Sequence, residues 1–222
     1  MTETMPLFPL GTVLYPGLLL PLHIFEERYR RLVRDLLAEP EPRRFGVIAI
    51  REGSEIGADG VSALFEVGCT ATVRRVSERD DGRFDLVTVG THRFRLTSLD
   101  HSRPYLQARV DLLPEETGDQ VAAGLAVQAV QQAFRMYVDA LAAQGGARAS
   151  VSDLPAEPLS LSYLVAAAVI ADLRDRQALL AEPDALSRLN AERALLSIQT
   201  AMLRSLTSAP APELRYTPYS LN

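Results

Sequence analysis

At 222 residues, 47% apolar and 23% charged, the chain has the composition of a globular protein and the length for one large domain or two small ones packed together. All 23 basic residues are arginine, and the absence of lysine excludes a P-loop, a Schiff-base amine and a Ser-Lys hydrolase. A net charge of −5 argues against nucleic-acid partners, and the single cysteine, Cys69, excludes an internal disulfide or a cysteine-based metal cluster.

The N-terminus MTETMPLF has no basic n-region, and no apolar run reaches the roughly 18 residues of a spanning helix. The sequence therefore predicts a cytoplasmic protein with no membrane partner. From Met5 the chain runs as an apolar extended stretch, a turn at Pro16 and Gly17, and a second apolar extended stretch. Proline presets φ and glycine tolerates positive φ, which a type II turn requires, so the two stretches are expected close in space. Apolar residues at 25, 29, 32, 33, 36 and 37 then mark one face of a helix over Phe25 to Leu37, which Pro40 and Pro42 end.

Phe45 to Ile50 has no polar side and reads as a strand covered on both faces. A Gly-rich, acidic loop over Glu52 to Gly60 precedes strands at Leu64 to Val67 and Cys69 to Val76. Asp80, Asp81 and Gly82 signal a hairpin before Phe84 to Val89. Period-2 alternation around Phe94 and Leu96, and from Leu106 to Leu112, implies a curved sheet or small barrel with one solvated face. On that face Arg93 and Arg95 are expected in solvent.

After Pro114 the pattern becomes helical. Helices are predicted over Val121 to Leu141, over Leu161 to Leu173, as a short segment at Gln177 to Ala181, and from an Asp184 cap to about Leu206. A flexible link spans Gly145 to Pro158, and a proline-bearing tail begins at Ser208. The predicted division is a barrel at 1–116, a bundle at 117–207 and a tail at 208–222.

Several separated blocks in this order resemble the N-terminal substrate-binding domain of Lon-type ATP-dependent proteases. They are PLFPLGTVLYPGLLLPLHIFEERY at 6–29, LFEVGCTATVRRV at 64–76, VTVGTHRFRL at 87–96, YLQARVDLLPEE at 105–116 and LSYLVAAAVIADLRDRQALLAE at 161–182. The resemblance implies an α+β fold: a PUA-like β pseudo-barrel of about six strands with an inserted helix, followed by a C-terminal helical bundle. No GxxxxGK[ST] and no Ser-Lys arrangement occurs, so the chain is expected to be a stand-alone, non-enzymatic relative without catalytic residues, metal or cofactor. Its implied partners are unfolded polypeptide or a specific protein, with a separate ATP-dependent protease or unfoldase beside it. The expected binding surface is an apolar groove at the junction of barrel and bundle.

The candidate polypeptide-binding residues are Leu18, Leu19, Leu20, Phe25 and Tyr29, which equally fit a barrel core with a helix packed on it. PUA-like folds also suggest RNA, for which Arg28, Arg30, Arg31 and Arg34 are the candidates. Carboxylates at i,i+4 spacing, Glu26 to Arg30, Glu27 to Arg31 and Arg31 to Asp35, are expected to neutralise them. Asp100, His101 and Ser102 read as a surface turn before Pro104, because chain neighbours point in different directions and form no relay. His23 and His92 have no HxxxH or HExxH partner for a metal. Cys69 reads as a small core residue, and Gly17, Gly68 and Gly90 as turn or bulge positions.

Overall fold

A computed structural model describes residues 2–53, 61–144 and 153–208. Seven strands come first: β1 (Thr2–Leu10), β2 (Leu19–Ile24), β3 (Arg44–Gly53), β4 (Val61–Leu64), β5 (Val67–Glu78), β6 (Phe84–Asp100) and β7 (Gln107–Leu112). Helix α1 (Glu27–Ala38) lies between β2 and β3, and α2 (Gln120–Ala143), α3 (Pro158–Ala168), α4 (Leu173–Ala181) and α5 (Ala185–Ser208) follow. This is the α+β arrangement expected, a pseudo-barrel with one inserted helix and then a bundle. The predicted tail lies outside the described residues from 209, as do 145–152 of the link and 54–60 of the acidic loop.

The strand order β1-β7-β6-β5-β3 closes on itself because β1 also pairs in parallel with β3, from Leu7 opposite Gly46 to Leu10 opposite Ala49. What the alternation suggests as separate strands around 84–89 and 94–96 is one strand. Its first part runs between β2 and β5, and its second between β5 and β7. Gly90 sits at the change of partners, where a Cβ would run into the carbonyl oxygen of Tyr15. Gly17 has φ 82° in the expected turn. β1 and β2 do not pair with each other: among the described residues β2 bonds only to β6, so it is an edge strand, where Pro21 removes no needed donor.

The bundle departs from expectation at one place. The helix expected over Leu161 to Leu173 stops at Ala168, and Leu173 instead opens α4, which takes in the segment expected at Gln177 to Ala181. The N–H of Ile170 donates to the Tyr137 hydroxyl at 2.9 Å, and Asp172 caps α4 by accepting from the Asp175 N–H at 2.8 Å. Helices α2 and α5 run parallel. Asp119 and Asp184 cap their neighbouring N-termini, which the Glu116–Asp184 bridge joins, and Gln144 at the end of α2 donates to the Leu203 carbonyl of α5 at 2.8 Å.

Much of the junction expected to hold an apolar groove is packed solid. One core cluster runs through it, joining Val13, Tyr15 and Val67 on the barrel side to Phe134, Leu161, Leu180 and Leu196 of the helices. Arg93, expected on the solvated face, is 1% exposed and crosses the same junction. Its guanidinium donates to the carboxylate of Glu115 at 3.2 Å and to the carbonyls of Pro114, Leu180, Glu182 and Pro183. The carbonyls at the end of α4, which have no helical partners, thus receive donors from the barrel. A shallow depression of about 360 Å³ remains at the junction, with Phe65, Val67, Ala178 and Ala181 in its lining beside the polar groups of Arg51, Glu66, Arg95, Arg174 and Gln177.

Candidate functional site

In β2 the side chains alternate across the strand: Leu19, Pro21 and His23 are exposed, while Leu20, Leu22 and Ile24 turn inward. That period separates the apolar residues that the sequence groups together. Leu18 and Leu20 pack against the cores, whereas Leu19 stands 68% exposed. Phe25, at the step from β2 into α1, is 49% exposed. Tyr29, one helical turn on, is buried with its ring stacked on Phe8 at 4.1 Å.

Between β1 and β2, which do not pair with each other, lies a groove of about 240 Å³ that Tyr29 of α1 also lines. Phe8 and Leu10 line one side, Leu22 and Ile24 the other, and Phe25 and Tyr29 its helical end. The structure therefore brings Phe25 and Tyr29 of the five candidates to one apolar groove, on the barrel rather than at its junction with the bundle. His23 lines the rim and is fixed by Asp85, whose oxygen lies 2.7 Å from Nδ1. Hydrogen bonds from His23 and Arg79 hold the Asp85 carboxyl below the usual carboxylate range.

The four candidate arginines of α1 each face a carboxylate. Arg31 pairs with Asp35 at 2.9 Å as its i,i+4 spacing predicts. The other two predicted pairs are replaced: Arg30 and Arg34 both hold Glu27, at 2.9 and 3.1 Å, and Arg28 holds Glu26 at 3.0 Å. Arg30 also donates through Nε to the carbonyl of Gly82 at 2.7 Å, tying α1 to the β5–β6 hairpin. Burial alone would raise Asp35, but the Tyr105 hydroxyl and the guanidinium groups of Arg31 and Arg103 hold its carboxyl below the usual range.

Asp100 accepts from the backbone N–H and the hydroxyl of Ser102, at 2.8 and 3.0 Å, which is a local turn and not a relay through His101. Cys69 is fully buried, and its removal from water pushes the thiol well above its ordinary value. Among the described residues, no group of three or more His, Cys, Asp or Glu side chains is placed to hold a metal ion. No described helix is long and apolar enough to cross a membrane.

The family profile described as the ATP-dependent protease La (LON) substrate-binding domain matches residues 4–197. The chain belongs to that family. Lon protease 2 of Myxococcus xanthus is 25% identical over 207 residues, covering 91% of this chain and 24% of that protein. Lon protease 2 of Sorangium cellulosum is 28% identical over 206 residues, 91% of this chain and 25% of that one. The chain thus spans about a quarter of the length of these Lon relatives. In fold it is similar to the Lon N-terminal domain protein of Xanthomonas campestris, with a TM-score of 0.57 and 22% identity over 88% of this chain and 98% of that one. It is likewise similar to the N-terminal domain of the Mycobacterium avium complex Lon protease, with a TM-score of 0.63 and 18% identity over 90% and 98%.

Proposed function

We propose that this Lon-domain protein binds polypeptide without acting on it, and that the groove between β1, β2 and α1 holds an extended apolar segment. The observation that carries the reading is Phe25, a large aromatic left half in water at the end of a groove lined mainly by apolar side chains, with His23 and Glu26 as its polar members. A strand edge beside the groove offers backbone groups to an extended guest. Affinity per site is modest, because an unfolded segment loses conformational entropy when it is held. Delivery of the bound chain to a separate ATP-dependent protease or unfoldase in the cytoplasm is the wider role proposed, as an adaptor in protein quality control.

The test is fluorescence anisotropy against a labelled, permanently unfolded polypeptide, with the wild type and Phe25→Asp compared at low and moderate salt. Saturable binding that survives moderate salt and weakens tenfold or more in the variant supports the groove. Equal binding by the two proteins rejects the groove as the site, and no binding by either rejects polypeptide recognition. Salt-sensitive binding of a structured RNA in its place would transfer the role to the arginines of α1.

A further inference from the structure

Tyr29 also borders a second cavity, of about 340 Å³, whose chemistry is different. Leu64, Leu99, Pro104 and Leu106 give it aliphatic walls, and Leu99 is 41% exposed. Its polar lining is Arg28, His101, Arg103 and Tyr105, with no carboxylate among the lining residues, although Arg28 is paired with Glu26 and Arg103 with Asp35, both at 3.0 Å. Arg28 lies over the Tyr29 ring with its guanidinium carbon 4.5 Å from the centroid. Arg103 is held by Asp35, which is not among the lining residues, and by Tyr105, which is. Its Nη1 donates to Asp35 and to the Tyr105 hydroxyl, both at 3.0 Å. Its Nε and Nη2 make no hydrogen bond among the described residues, and the side chain is half in water. Asp35 therefore positions a guanidinium whose other donor nitrogens remain available.

We propose that this cavity receives the free carboxyl terminus of a polypeptide whose last residue is apolar. The carboxylate meets Arg103, the nearby cations complement its charge, and the last side chain lies against Leu64, Leu99 and Leu106. Only at a chain end do a carboxylate and an apolar side chain leave the same Cα. An internal Asp or Glu carries its charge on its own side chain, so any apolar group must come from a different residue. Tyr29 is the wall common to this cavity and the groove, so the two lie side by side. The inference rests on the polypeptide-binding reading above and adds which part of the chain is recognised.

The experiment uses two fluorescein-labelled ten-residue peptides that end in leucine and are identical except for a free acid or an amide terminus. The acid form is expected to bind the wild type at least tenfold more tightly, the size of one charge-assisted hydrogen bond. Arg103→Gln is expected to abolish that ratio while leaving the affinity for the amide within twofold. Leu99→Glu, at a half-exposed position that tolerates polarity, is expected to weaken the acid form more than tenfold by placing a carboxylate in the cavity. Equal binding of acid and amide by the wild type overturns the chain-end inference and leaves polypeptide recognition standing. Absence of binding by both, with the unfolded polypeptide still bound, does the same. If neither the peptides nor the unfolded polypeptide binds, both readings fail. Loss of amide binding in Arg103→Gln makes its role structural and overturns the inference. Displacement of the acid peptide by 4-phenylbutyrate at equal concentration reassigns the cavity to small acids.

Discussion

Replacing Arg93 by methionine keeps an unbranched apolar stem and removes the guanidinium that spans barrel and bundle. Left behind are the Glu115 carboxylate and the carbonyl oxygens of Pro114, Leu180, Glu182 and Pro183, all deprived of a donor at a junction where the arginine is 1% exposed. Replacing every member of a buried ion pair by apolar groups is often harmless, but deleting one partner alone costs about 3–5 kcal/mol. The second case applies, because the main-chain acceptors cannot be removed with the arginine. Glu115 keeps the Tyr163 hydroxyl, which places the expectation near the lower end, about 3 kcal/mol. For a chain of this size each kcal/mol moves Tm by about 2–4 °C, so the midpoint should fall by about 6–12 °C. The chain has no tryptophan, so far-UV circular dichroism in a urea titration is the suitable assay. Hydrogen exchange should also show the amides of α4 losing protection before those of β5 and β6. A stability loss below about 1 kcal/mol with an unchanged m-value would refute the claim that Arg93 joins the two halves.

Glu192 is 1% exposed, with no hydrogen-bond partner on either oxygen, and burial, opposed by Arg188, raises its carboxyl well above the ordinary value. The folded state therefore holds more protons than the unfolded one above about pH 4.3, and stability falls as pH rises from there through the raised value. Glu192→Met should stabilise the protein at pH 7–8 by about 1–3 kcal/mol, with the advantage shrinking toward pH 4 in chemical denaturation series. Gly90→Ala should cost about 3 kcal/mol or more in the same assay, since the obstructing atom is the backbone carbonyl oxygen of Tyr15 and not a flexible tip. Asp172→Ala removes the cap of α4 and should cost about 1 kcal/mol, whereas Asp172→Asn should be nearly neutral.

Much of the architecture is legible in the sequence because local pattern and tertiary role agree. The Pro16–Gly17 turn, the apolar stripe of α1 and the Asp184 cap of α5 are examples. Arg93 is not legible, because Arg93, Phe94 and Arg95 spell a half-solvated strand. In the fold both Arg93 and Phe94 are buried, one against the bundle and the other within the barrel's small core, and only Arg95 meets water. The break before α4 is hidden in the same way. Its apolar residues suit a helix, and one of its anchors, the Tyr137 hydroxyl, lies 33 positions away from Ile170 in the chain. For the candidate residues, the sequence groups side chains by apolarity but does not show their exposure. Leu19 and Phe25 are as apolar as Leu20 and Ile24, and only the alternation of an edge strand that does not pair with β1 decides which of them meet water.

The parallel course of α2 and α5 has an electrostatic consequence. Neighbouring antiparallel helices largely cancel one another's fields, but two 24-residue helices pointing the same way add theirs. Their positive poles meet the carboxylates of Asp119 and Asp184, while both negative poles emerge together where Gln144 meets Leu203. The bundle is thus a permanent dipole along its own length, which favours cations at the end where the two helices finish and gives an approaching charged chain a preferred orientation before any contact is made.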